Sequence, residues 1–220
     1  MGNSVLIDRD MRTRFGWLLA NPWVDRSIAT IACLPAAYLA YQRIRAGNLD
    51  IVRINLIIPA LLLIVTMVSR RPPERVTPNP WFWLLAFLAT YWVPFTALVA
   101  PPGTLVAPRW LVLTLSWLGL ATAVYARLSL GRNIGLVPAQ RKLVTTGAYA
   151  VVRHPIYSAL TINYLSLVLQ RFTPITLLLA TIGVGWFIVK SIVEEHFLRA
   201  DPEYASYMGR VRWRWIPGLV

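Results

Sequence analysis

The sequence has little acidic charge, few charged residues of any kind and almost no cysteine or histidine. Of its 220 residues, 9 are Asp or Glu and 22 are Lys or Arg, so charged residues make up only 14%. A soluble domain usually carries about 25%. Hydrophobic residues reach 57%, and several uncharged apolar runs approach the roughly 20 residues that cross a bilayer. The composition therefore predicts an integral membrane protein.

Motifs of common soluble enzymes are also missing. The sequence holds no zinc-ligand spacing, no P-loop and no GxGxxG, so we predict neither a metal site nor a soluble-type nucleotide domain. The single cysteine, Cys33, lies inside the first apolar run. It has no partner for an internal disulfide, and we interpret it as a small packing residue.

The net charge of +13 is distributed as in membrane proteins, because the basic residues lie at the ends of apolar runs. We therefore expect contact with anionic headgroups and no nucleic-acid partner. Segment 127–153 and the region after Lys190 are rich in Lys and Arg, whereas loop 101–108 contains neither. The segments rich in Lys and Arg are predicted to face the cytoplasm. We expect the protein in the cell (inner) membrane, with its polar site on the cytoplasmic side.

The apolar runs predict an all-α, polytopic transmembrane bundle that forms one compact domain. Three arginines in the turn at 43–53 lie on the wrong side of a six-span scheme, so five or six spans remain open. A polar residue followed by proline favours a helix start. Such pairs, together with the apolar runs, predict helical segments at 27–42, 54–69, 80–100, 109–128, 155–170, 174–196 and a short amphipathic helix from Pro202. Residues 1–26 are predicted to be an interfacial lead-in, with Arg12, Arg14, Trp17 and Trp23 at the membrane surface.

The stretch at 143–157, LVTTGAYAVVRHPIY, is the most unusual part of the chain. It is polar, lies between apolar runs and places Tyr149, Arg153, His154 and Tyr157 close together in sequence. Ionisable groups near hydrocarbon are costly, so such a cluster predicts a functional site. The alternative is that His154 only caps the helix that begins at Pro155.

A second polar cluster follows the last long apolar run. Glu194 and Glu195 lie near a predicted helix C-terminus, where carboxylates are unfavourable. We expect one of them to turn towards the bundle, where it needs a cationic partner such as Arg153 or a cationic ligand. A solvated helix end is the alternative. The tail at 210–215 is predicted to be an interfacial strip, in which we interpret Trp213 and Trp215 as membrane anchors and in which snorkelling is the alternative for Arg210, Arg212 and Arg214. The tyrosines of both clusters are suited to hold an adenine ring or a sulfonium.

Two ordered sets of residues resemble the isoprenylcysteine carboxyl methyltransferase family and its phospholipid-methyltransferase relatives. The first is Gly131-Arg132-Asn133, Leu143–Tyr149 and Arg153-His154-Pro155-Ile156-Tyr157. The second is Glu194-Glu195, Pro202-Glu203-Tyr204, Tyr207 and Arg214-Trp215-Ile216-Pro217. The resemblance covers about residues 128–217. It departs from the family where Ser158-Ala159 follows the tyrosine motif and where an FG pair before the tail tyrosine is absent.

The resemblance implies a membrane methyltransferase that uses S-adenosylmethionine and a lipophilic or lipid acceptor. It divides the chain into an N-terminal lead-in with four spans, residues 1–127, and a cofactor-binding region, residues 128–220. The catalytic residues implied are Arg153, Glu195 and Arg214, the last for orienting an anionic acceptor. The implied cofactor-binding residues are Leu143, Val144, Gly147, Tyr149, His154, Pro155, Tyr157, Glu194, Tyr204 and Tyr207.

The predicted chemistry is in-line displacement at the cofactor's methyl group. A carboxylate, thiolate or phenolate acceptor needs no strong base, whereas an amine needs one, for which Glu195 or Tyr207 is available. The acceptor itself and the oligomeric state stay open. Two alternatives remain: an NADPH-dependent membrane reductase of the sterol-reductase type, and a non-enzymatic membrane protein.

Overall fold

The computed structural model describes residues 21–45, 47, 51–71, 73, 75–77 and 79–218. The chain is mostly helical, which confirms the all-α prediction. In the described part, strand pairing is limited to the two-residue strands β1 (Arg75–Val76) and β2 (Ala139–Gln140), which are antiparallel, and to one bridge between Thr104 and Phe172. The helices are α1 (Pro22–Arg45), α2 (Ile51–Val68), α3 (Pro80–Val99), α4 (Arg109–Leu130), α5 (Pro155–Gln170), α6 (Pro174–Leu198) and α7 (Pro202–Arg210). Short 3-10 turns cover Gly131–Asn133 and Gly147–Ala150.

Polar residues before prolines begin the helices, as predicted. The side chain of Asn79 accepts a hydrogen bond from the Trp81 amide, and that of Thr173 accepts one from the Thr176 amide. Asp201 caps α7 in the same way. Each cap provides an acceptor for an amide that has no partner inside the helix. The proline that follows has no N–H group and so needs no acceptor.

The first helix begins earlier than predicted, at Pro22 instead of residue 27. Asn21 accepts a hydrogen bond from the Trp23 amide, so an Asn-Pro pair begins this helix too. Trp23, predicted in the interfacial lead-in, therefore lies in the first turn of α1, where it is exposed. Residues 1–20 of the predicted lead-in, with Arg12, Arg14 and Trp17, lie outside the described residues.

Three described helices are long and apolar enough to cross a membrane, by length and composition: Pro80–Val99, Arg109–Asn133 and Pro174–Leu198. The apolar part of α2, Ile57–Val68, and the 16-residue α5 are shorter. Large apolar side chains are exposed on the outer faces of the long helices, where lipid replaces water. These three helices support the prediction of a membrane protein, whereas the count of five to six spans stays a prediction.

Helices α4 and α5 pack closely against each other, and α3 packs against α6. At the first contact the hydroxyls of Ser116 and Ser166 lie 2.7 Å apart and hydrogen bond. At Gly183 of α6 the ring of Tyr164 approaches so closely that an added Cβ would lie 2.6 Å from it. Small residues at such contacts let apolar helices approach each other.

A buried ion cluster joins the segment after α4 to the first two helices. Asp25 of α1 accepts hydrogen bonds from Arg70 at 2.6 and 2.8 Å and from Arg141 at 3.3 Å. Arg141 also donates to the carbonyl of Arg71. Because β1 pairs with β2 beside this cluster, the segment at 139–141 is fixed against α1 and α2.

Candidate functional site

Glu195 is the centre of a buried ionic network at the end of α6. Its Oε1 accepts hydrogen bonds from Arg153 Nε at 2.8 Å, His154 Nε2 at 3.1 Å and Arg214 Nε at 3.1 Å. Its Oε2 accepts one from Arg214 Nη2 at 2.8 Å. One carboxylate of the Glu194-Glu195 pair was predicted to turn inwards onto Arg153 or a cationic ligand, and Glu195 does so with Arg153 as one partner.

The same network attaches the C-terminal tail to the start of α5. Arg153 Nη1 donates to the carbonyls of Val211 and Arg212, at 2.8 and 2.7 Å. The amides of Arg153 and His154 donate to the carbonyls of Trp213 and Arg214, at 2.9 and 2.8 Å. Sequence analysis predicted an interfacial tail, and these bonds instead order residues 211–215 against the protein.

His154 is the N-cap residue of α5, yet its side chain makes no capping bond. Its ring contacts Glu195 and stacks on Tyr157, with ring centres 5.3 Å apart. Tyr157 in turn stacks on Phe187 at 5.4 Å and meets the edge of Trp215 at 6.1 Å. Trp215 was interpreted as a membrane anchor, but it is buried in this aromatic cluster.

Glu194 has fewer partners than its neighbour in sequence. Its Oε2 accepts a hydrogen bond from the Tyr157 hydroxyl at 3.0 Å, and His154 Nδ1 lies 3.8 Å from the same oxygen. Lys190 Nζ lies 3.9 Å from Oε1 and 5.8 Å from the centre of the Tyr157 ring. Lys190 is buried, and sequence analysis gave it no site role. A lysine late in an apolar helix, one turn before a glutamate, was the available signal.

Three buried tyrosines complete the polar end. The Tyr207 hydroxyl donates to the Tyr149 carbonyl at 2.8 Å, and the rings of Tyr204 and Tyr207 lie 5.7 Å apart. Burial raises the pKa of Tyr207 to about 12 and the pKa values of Tyr149 and Tyr204 further. All three phenols are therefore neutral near pH 7. They offer aromatic surface and hydrogen bonds, not charge.

The three tyrosines line a cavity of about 380 Å³, a size typical of small-molecule sites. Gly147 and Pro155 lie outside its lining, as do Glu195 and Arg214. Gly147 has a positive φ of 62°, and an added Cβ would lie 2.5 Å from Ser129 Oγ, so its backbone packs on α4. Nine predicted site residues line the cavity: Leu143, Val144, Tyr149, Arg153, His154, Tyr157, Glu194, Tyr204 and Tyr207.

The rest of the cavity extends between α2, α3 and α5 and is mainly apolar, with polar side chains such as Asn55 and Asn163 among its lining. It is lined by Pro59 and Leu63 of α2, Val93 of α3 and Leu160 and Leu167 of α5. One cavity thus joins a charged and aromatic end to a hydrocarbon-like end. That combination suits a polar cofactor beside a lipophilic molecule.

The family model of phospholipid methyltransferase (PEMT) matches residues 108–201. The match runs from the start of α4 to the N-cap of α7 and includes both glutamates of the site, but not Arg214. It confirms the resemblance predicted from the sequence motifs. No curated protein matches the chain significantly. The family match and the apolar helices together indicate a membrane methyltransferase.

Proposed function

We propose that the protein transfers a methyl group from S-adenosylmethionine to a lipophilic acceptor inside this cavity. The observation that carries the proposal is the cavity itself, whose polar end holds Glu194, His154 and Tyr157 and whose remaining lining is mainly apolar. S-adenosylmethionine supplies an electrophilic methyl group on a cationic sulfur. The protein supplies binding, orientation and exclusion of water.

The residues at the polar end fit this cofactor. Glu194 is a carboxylate with one short hydrogen bond, so it retains oxygen lone pairs for a cationic group. Tyr149, Tyr157 and Tyr204 offer aromatic faces for an adenine or a sulfonium. We assign these four residues, with His154, to cofactor binding.

Glu195 is assigned a positioning role in this proposal. Four hydrogen bonds from three cationic or imidazole side chains already occupy its oxygens. A carboxylate so engaged is a poor base, because accepting a proton would break these bonds. Glu195 instead holds Arg153, His154 and Arg214 in place and so orders the wall that carries His154.

Arg214 belongs to the same support in our proposal. The resemblance gave it the task of orienting an anionic acceptor, but its guanidinium binds Glu195 and does not line the cavity. Tyr207, with a pKa of about 12, is also a weak choice of base at neutral pH because burial keeps it protonated. The site therefore favours an acceptor that is already nucleophilic, such as a carboxylate, thiolate or phenolate.

Residues from both predicted regions of the chain line the cavity. Residues 128–220 supply most of the polar end, and α2 and α3 of the N-terminal region supply apolar walls. We propose that the acceptor's hydrocarbon part lies between α2, α3 and α5, where it can enter from the bilayer. The count of Lys and Arg in the loops favours a site on the cytoplasmic face of the cell membrane.

Calorimetry on the protein in detergent tests the cofactor assignment. We expect binding of S-adenosylmethionine and of S-adenosylhomocysteine, its demethylated product, and a loss of about tenfold or more in Glu194→Gln. Glu203→Gln is the matched control, because Glu203 is an exposed glutamate on α7. Binding of NADPH without either sulfur compound would replace this proposal with the reductase alternative.

A further inference from the structure

Arg127 is an arginine at the cavity, and two of its nitrogens have no hydrogen-bond partner among the described residues. It lies in the last turn of α4 and lines the cavity. Its Nε and Nη1 are buried and donate to no acceptor among the described residues. A guanidinium stays charged in proteins, and buried N–H groups without acceptors are costly. An anionic ligand would supply the acceptors that these N–H groups need.

The other buried arginines of the described chain have protein partners, although Arg141 Nη1 is also buried without an acceptor. Arg70 donates through Nε and Nη2 to Asp25. Arg153 donates to Glu195 and to two backbone carbonyls. Arg127 differs from them because no carboxylate or carbonyl of the described residues holds its guanidinium, whereas Asp25 and the Arg71 carbonyl hold that of Arg141.

Arg127 belongs to the same end of the cavity as Glu194. Lys190 and Tyr149 each interact electrostatically with both of these residues. Glu194 is the nearest carboxylate of Lys190, at 3.9 Å. Lys190 thus has Glu194 as its partner, whereas no carboxylate among the described residues lies within ion-pair distance of Arg127.

We propose that Arg127 binds a carboxylate of the ligand, through the N–H groups that now lack acceptors. The planar guanidinium suits this group, because it can form two parallel hydrogen bonds with it. The carboxylate belongs either to the amino-acid part of the cofactor or to the acceptor. The inference rests on the proposed function, and it assigns Arg127 a binding role that the sequence motifs did not indicate.

The test compares ligands that differ only in the carboxylate. For the cofactor, S-adenosylhomocysteine is compared with its decarboxylated analogue; for the acceptor, S-farnesylcysteine is compared with its methyl ester. Affinities are measured by calorimetry for the unaltered protein, Arg127→Gln and the control Arg210→Gln, which alters an exposed arginine of α7. We expect Arg127→Gln to lose about 10- to 100-fold in affinity for one carboxylate ligand, while its affinity for the counterpart without a free carboxylate and the affinities of the control variant stay unchanged.

The pattern of loss identifies the source of the carboxylate. Loss confined to S-adenosylhomocysteine assigns Arg127 to the cofactor, and loss confined to S-farnesylcysteine assigns it to the acceptor. Affinities in Arg127→Gln that match the unaltered protein for both carboxylates would overturn the inference while leaving the proposed function intact. If the unaltered protein binds neither sulfur compound, it is the proposed function that fails.

A folding defect in Arg127→Gln does not remove the test. Arg127→Lys keeps the charge but not the two-pronged geometry, and we expect an intermediate loss for the carboxylate ligand. The unaltered protein also gives a direct result. If removing the carboxylate from either ligand leaves its affinity unchanged, no carboxylate subsite exists.

Discussion

Replacing Glu195 with glutamine should loosen the whole tail of the protein, because one carboxylate holds three side chains. The substitution keeps the shape of the side chain and one amide oxygen. It removes the charge and places an NH₂ group where arginine N–H groups now donate, at 2.8 and 3.1 Å. Arg153 and Arg214 then lose their anion, and His154 loses its ring partner.

The size of the effect follows from burial. Removing one member of a buried ion pair costs about 3–5 kcal/mol. The Arg214 side chain is 28% exposed, so water screens its part, and Arg153 keeps its two carbonyl acceptors. We therefore expect about 3 kcal/mol for Glu195→Gln. For a chain of this length that corresponds to a drop in Tm of roughly 6–12 °C.

The assay is thermal unfolding in detergent, followed by tryptophan fluorescence, with hydrogen exchange at residues 211–215. Faster exchange there is expected, because Arg153 holds this segment through the carbonyls of Val211 and Arg212. Glu203→Gln, the same chemical change at an exposed position, serves as the control. A Tm within about 2 °C of that control, with unchanged exchange of the tail, would refute the reasoning.

Two further predictions concern packing and a single hydrogen bond. Gly183→Ala should destabilise the protein by about 1–3 kcal/mol, because its Cβ would lie 2.6 Å from the buried Tyr164 ring. Gly185→Ala is the control: its Cβ would meet nothing within 4 Å, so it should be neutral or stabilising. Equal unfolding temperatures for the two variants would contradict this prediction. Tyr207→Phe removes the donor to the Tyr149 carbonyl and should cost about 1–2 kcal/mol in the same unfolding assay. A cost below about 0.3 kcal/mol would show that this bond contributes little to folding.

Helix starts were predictable where a polar residue precedes a proline, because the signal is local. Asn79, Thr173 and Asp201 all cap helices as expected. Asn21-Pro22 carries the same signal, but the arginines and tryptophans around it suggested an interfacial segment instead. The apolar runs gave the remaining helices to within a few residues, and the three long helices follow from length and composition.

The site was predictable in its residue types and only partly in its contacts. The unfavourable place of Glu194 and Glu195 at a helix end predicted one inward carboxylate with a cationic partner, and Glu195 bound to Arg153 fits that prediction. Its other partners, His154 and Arg214, depend on how the tail folds back over α5, which no local pattern encodes. For the same reason the burial of Trp215 was missed, since a tryptophan beside arginines is equally typical of a membrane surface.

Lys190 and Arg127 show a second reason why sequence alone does not identify every site residue. Both look like ordinary basic residues at the end of a membrane helix, where positive charge is common. Only the packed structure shows that Lys190 is buried and that Arg127 has buried nitrogens without acceptors. A charged side chain near a span end becomes a site residue through its surroundings, and sequence alone does not give those.

The most direct test of the account is transfer of a labelled methyl group. The purified protein is incubated with methyl-labelled S-adenosylmethionine and a lipid extract of membranes, and the label is measured in the organic-solvent fraction. The account predicts incorporation by the unaltered protein and by Glu203→Gln, and a loss of about tenfold or more in Glu194→Gln. Binding of S-adenosylmethionine without transfer of label into any lipophilic molecule, whether from the extract or from added S-farnesylcysteine, would contradict it.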